Sequence, residues 1–67
     1  MSRIPLAPID RIMRKAGADR ISEDAKQRLR TAVEELGDEI AEDSDRAAEH
    51  ADRKTIRKED IDLAVEV

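Results

Sequence analysis

The stretch HADRKTIRKED, His50 to Asp60, gathers Arg53, Lys54, Arg57 and Lys58 around the dipeptide Thr55-Ile56, in a chain whose net charge is -4. Guanidinium and ammonium groups at this density suit anionic oxygens, phosphate above all, because charge-assisted hydrogen bonds are the strong ones. A second group of cations, Arg11, Arg14, Lys15 and Arg20, lies near the other end. His50 is the one histidine and the one side chain that invites a catalytic reading. It has no nucleophile beside it, the chain has only two glycines with which to cradle a phosphate, and cysteine is absent. Enzyme chemistry, disulfides and thiolate metal sites are therefore set aside, and no cofactor or metal is implied.

The charge is unevenly distributed. Residues 1–30 hold eight Lys/Arg against four Asp/Glu, residues 31–52 one against nine, and residues 53–67 four against four. Acidity is concentrated in the middle, so the net charge hides two basic segments. Nine arginines against four lysines, with many aspartates, is similar to the composition of proteins from a high-salt cytoplasm. No apolar run reaches the length of a membrane span, which points to a soluble, cytoplasmic protein.

Three elements have to position these cations. Ile9, Ile12, Met13 and Ala16 fall at helical spacing, with Pro8 suited to a helix start and Gly17 to the position past its end. Ser22 is a candidate N-cap, followed by Glu23 and Asp24 in the first turn. From there to Ala51 no proline intervenes. Leu29, Val33, Leu36 and Ile40 mark one face, which Ser44, Ala47, Ala48 and Ala51 continue with smaller side chains. The spacing predicts one helix of roughly 28 residues, about 42 Å long at the usual rise. Glu59 and Asp60 open a short third helix carrying Ile61, Ala64 and Val65, and Thr55-Ile56 suits a brief strand before it.

A single domain of 67 residues is marginal alone. A globule of this size has a diameter below about 30 Å, so the central helix overhangs it. Lacking disulfides and aromatics, the chain is expected to self-associate along Leu29, Val33, Leu36 and Ile40.

The strings IPLAPIDRIMRKAGADRIS, EELGDEIA and HADRKTIRKEDIDLAVE together resemble the archaeal histones, the minimal histone-fold family, over nearly the whole chain. The resemblance implies an all-α histone fold, short helix, long helix and short helix, in an intertwined head-to-tail homodimer. It implies non-sequence-specific binding and compaction of double-stranded DNA on the chromosome. Arg11 and Arg14 then lie along the DNA path with Lys15 nearby, Arg20 enters the minor groove, and Lys54 and Thr55 contact phosphate in the second loop. It further implies an ion pair between Arg53 and Asp60, and a contact between dimers involving His50, Asp60 and position 47. Ala47 and Asp45 stand where the family has larger apolar residues, Asp52 and Asp10 where it has glycine. These departures bear on assembly beyond the dimer. The remaining alternative is a module that binds proteins, pairing with another histone-fold chain in a transcription-related complex, which the acidic middle helix favours.

Overall fold

The computed structural model describes residues 4–66. It contains α1 (Leu6–Lys15), α2 (Glu23–His50) and α3 (Lys58–Val65), and no strand among the described residues. The chain divides into two compact units, with the boundary between Glu35 and Leu36 inside α2.

In the first unit α1 begins at Leu6, two residues earlier than Pro8 suggests, with Pro5 extended at its N-cap. Pro8 is tolerated as the third helical residue because the first turn's N–H groups have no intrahelical acceptor, so its missing donor breaks no bond. Ile9 is fully buried, Met13 half-buried, and Ile12 exposed. The segment ahead of α1 is tied to α2: the Ile4 N–H donates to a Glu34 carboxylate oxygen at 2.7 Å, and Arg30 reaches the Ile4 carbonyl at 3.5 Å. Glu34 is therefore half-buried and engaged, not part of an exposed acidic fringe. Ser22 caps α2 as its type suggests, its hydroxyl accepting from the Ala25 N–H at 3.1 Å.

Helices α1 and α2 end in the same way. After α1, Gly17 N–H donates to Arg14 O and Ala18 N–H to Met13 O; after α2, Asp52 N–H donates to Glu49 O and Arg53 N–H to Ala48 O. Each is a Schellman motif, which requires a left-handed residue just past the helix. Gly17 supplies it freely at φ 108°, whereas Asp52 adopts φ 57° with a side chain attached. Left-handed backbone costs an L-residue about 1–2 kcal/mol. Asp52→Gly is accordingly expected to stabilise the protein by about 1 kcal/mol, less the entropy that glycine loses on folding. Chemical denaturation checks this, and an unchanged midpoint means the aspartate sits there without strain.

In the second unit small side chains let α3 approach α2. Ser44 and Ala48 are fully buried, and the Ser44 hydroxyl donates to the Ile40 carbonyl at 2.7 Å while lying 3.5 Å from that of Asp60. Helix α3 starts at Lys58, one residue before Glu59, because Asp60 in its first turn accepts the N–H of Arg57, the N-cap, at 2.8 Å. Thr55 and Ile56 do not form the brief strand that their β-branched side chains suggest. A strand exists only as part of a ladder, and no described segment of this chain pairs with theirs.

Ile9 and Ala48 are the only buried hydrophobic residues among those described. Leu29, Val33 and Ile40 are half-buried, Leu36 is 57% exposed and Leu63 60%, and Ile61 and Val65 are also open to solvent. So thin a core is inadequate for a stable chain of this length, and the exposed apolar side chains call for a cover.

Candidate nucleic-acid interface

Cations in the first unit fall into two sets. Arg11, Lys15 and Arg20 are exposed, with no ion pair or hydrogen bond from their side chains to a described residue. Arg28, on the second turn of α2, is as open as they are, and sequence reasoning passed over it because it sits inside a helix rather than in a basic loop. Arg14 and Lys26 are engaged. Arg14 Nε donates to Asp10 Oδ2 at 2.9 Å and its Nη1 to the Asp19 carbonyl at 3.2 Å. Lys26 Nζ lies 3.3 Å from Asp10 Oδ1 and 3.4 Å from Glu23. Asp10 thus sits between a cation on α1 and one on α2. Its carboxyl is held below the ordinary value by the Arg14 hydrogen bond first, which outweighs the opposing effect of burial, and by Lys26 as well.

The second unit holds the basic loop between α2 and α3. Arg53 grips Asp60 with both arms of its guanidinium, Nη1 to Oδ2 at 2.8 Å and Nη2 to Oδ1 at 2.9 Å. Nη1 also donates to the Thr55 carbonyl at 3.1 Å, so the same guanidinium braces the loop that carries Lys54 and Thr55. The Arg57 N–H adds a third bond to Asp60, whose side chain is only 5% exposed. These donors favour the ionised form: the Arg53 bonds above all, then the Arg57 N–H, lower the Asp60 pKa to about 2. Lys58 pairs with Asp62 at 2.8 Å. Lys54 and Thr55 are exposed, and the Lys54 ammonium has no described partner.

His50 is exposed on the last turn of α2, in a shallow depression with Arg46 and Glu49. Ala47 beside it is half-buried. A His50 from a neighbouring molecule would meet in Asp60 an acceptor that already takes three hydrogen bonds within its own chain. Glu35, Asp38, Glu39, Glu42, Asp43, Asp45 and Glu49 are exposed along α2, with Asp43 paired to Arg46.

A short helix, a 28-residue helix and a short helix, joined by loops that leave cations open, is the architecture of a histone fold. The family model described as histone-like transcription factor (CBF/NF-Y) and archaeal histone matches residues 2–65. Over 65 residues the chain is 49% identical to one of the subunits of the archaeal histone HAN1 from Thermococcus zilligii, covering 97% of each chain. It is 46% identical over 65 residues to "Probable archaeal histone 3" of Methanocaldococcus jannaschii, again covering 97% of each. The chain belongs to the archaeal histone family, as an acidic member whose place is among structural proteins rather than enzymes. No helix among the described residues is long and apolar enough to cross a membrane.

Proposed function

We propose that the chain is a homodimeric chromatin protein that binds double-stranded DNA with little sequence specificity and bends or compacts it in the cytoplasm. One observation carries this reading beyond family membership. In an acidic chain whose Arg14, Lys26, Arg46, Arg53 and Lys58 are all paired internally, Arg11, Lys15, Arg20 and Lys54 stay open. Cations without an internal partner are what phosphate contacts need, since no internal bond has to break first. Arg20 is the residue assigned to the minor groove, where arginine responds to groove width and deformability rather than to base identity. Thr55 adds a hydroxyl donor, and Arg53 holds its loop in place from behind.

The exposed apolar residues support the homodimer. Leu29 and Val33 in the first unit, and Leu36, Ile40 and Leu63 in the second, each supply apolar surface for a second copy to cover. The melting temperature is therefore expected to rise with protein concentration, and Leu36→Glu to abolish that rise along with most of the stability. A concentration-independent melt at full stability would mean that the monomer suffices. Stacking of dimers through His50, Asp60 and Ala47 is the weaker part of the assembly, because Asp60 is committed within its chain and Ala47 offers little apolar area.

The reading is tested by titrating a labelled duplex of about 60 base pairs by fluorescence anisotropy, from low to molar KCl. Binding whose logarithm falls linearly with log salt, with several counterions released per dimer, supports a phosphate clamp. Survival of binding at high salt supports the salt-adapted reading of the composition. Absence of binding at every salt concentration turns the argument to the second reading, a module that pairs with another histone-fold chain. The exposed acids of α2 favour that alternative.

A further inference from the structure

The geometry points to Asp10 as a built-in competitor for the DNA backbone: its carboxylate occupies Arg14 in the free protein and withholds that arginine from phosphate. The inference rests on the DNA-binding reading and adds a control on it. A carboxylate presents oxygens to a guanidinium much as a phosphate does, and Asp10 lies one helical turn before Arg14, at the spacing where side chains on a helix meet. An isolated surface pair of this kind holds weakly. Here two further features reinforce it. Arg14 Nη1 is held at the same time by the Asp19 carbonyl, so the guanidinium is turned toward the loop after α1 by two acceptors. Asp10 is anchored from the other side by Lys26, which is only 18% exposed and comes from a different helix. The carboxylate therefore cannot swing away with Arg14 when DNA approaches. Arg11, the next residue along, has no such partner, so the clamp singles out one of two neighbouring arginines.

DNA must break the Asp10–Arg14 pair to recruit Arg14, and Asp10 then faces the phosphates uncompensated by it. The consequence is a shallower salt dependence and a lower affinity than the count of basic residues suggests. Asp10→Asn is expected to tighten binding to a 60-base-pair duplex about fivefold or more at moderate salt. It is also expected to steepen the slope of log K against log salt by about 0.9 per protomer, one extra phosphate contact each. The deciding control is the same substitution in an Arg14→Gln background, where the gain should largely disappear.

An equal gain with and without Arg14 shows that only the removed charge matters and overturns the clamp, as does an unchanged affinity and slope in Asp10→Asn. If neither wild type nor variant binds DNA, the DNA-binding reading itself has failed and the clamp falls with it, an outcome plainly distinct from tight wild-type binding that ignores Asp10. Should Asn at position 10 prevent folding, the Arg14 Nε–H resonance of the wild-type protein decides. It should be shifted and exchange slowly relative to Arg11 and Arg20 in the free protein, and change when DNA is added; an Arg14 signal that matches theirs refutes the pair.

Discussion

Asp60→Ala is expected to lower the melting temperature more than the loss of any other single charge in the chain, by on the order of 10 °C. The substitution removes three acceptor contacts at once and strands the Arg53 guanidinium and the Arg57 N–H at a site that is almost closed to water. It also unpins the start of α3 and loosens the brace on the Thr55 carbonyl. Asp60→Asn keeps an oxygen for the Arg57 N–H and should be milder. The same bonds set a pH dependence. Asp60 falls from the ordinary carboxylate value of 3.8 to about 2 in the folded chain, so the folded state binds its proton less readily than the unfolded state does. Its contribution is fully present above about pH 5 and is lost as pH falls through about 4 toward 2. Melting curves between pH 6 and 2 should therefore be steeper for wild type than for Asp60→Asn. Parallel curves, or an Asp60→Ala protein as stable as wild type, would show that the pair is ornamental.

The second large effect concerns Arg20 and Lys54. Replacing both by alanine is expected to weaken binding to duplex DNA by roughly 10²-fold at physiological salt, since a dimer loses up to four phosphate or groove contacts. The salt slope should fall in step, by about 0.9 for each phosphate contact removed. Neither side chain has a described partner, so the melting temperature should hardly move. A loss of affinity accompanied by an equal loss of stability would mark these residues as structural. Unchanged affinity would transfer the burden to Arg11, Lys15 and Arg28.

How much of this was open to a reader of the sequence depends on the range of the interaction. The extent of α2 was legible because Ser22, the absence of proline and a long apolar period all act locally, and the helix runs Glu23–His50. The start of α1 was less so: two prolines three residues apart both suit a helix opening, and the choice between them is made by Pro5's extended backbone. Thr55-Ile56 misled because β-branching describes a preference for pleated surfaces, not the presence of a neighbour to pair with. Small residues on α2 were visible, but not that Ser44 would be the buried point under α3. The links from Ile4 to Glu34 and from Asp10 to Lys26 left no trace in local pattern. They exist because α1 and its leading segment lie against α2, and acidic residues that look like a solvated fringe acquire partners only then. Arg11, Lys15, Arg20 and Lys54 were found by type and resemblance, whereas Arg28 was not, and which of their neighbours would be neutralised internally needed coordinates.

Most side-chain links within each unit are short in sequence. Among the described residues, the link from Ile4 to Glu34 spans 30 residues, while Ser44 and Asp60 are 16 apart and Arg53 and Asp60 only 7. Chains with such local wiring close their loops quickly, and helices form faster still. Assembly of two copies is a different kind of event, because its rate depends on encounter. If two copies pair as proposed, refolding of this protein should separate into a rapid step indifferent to concentration and a slower one that accelerates as the solution becomes more crowded with its own kind. Time to maturity is then set by abundance rather than by the chain's own search.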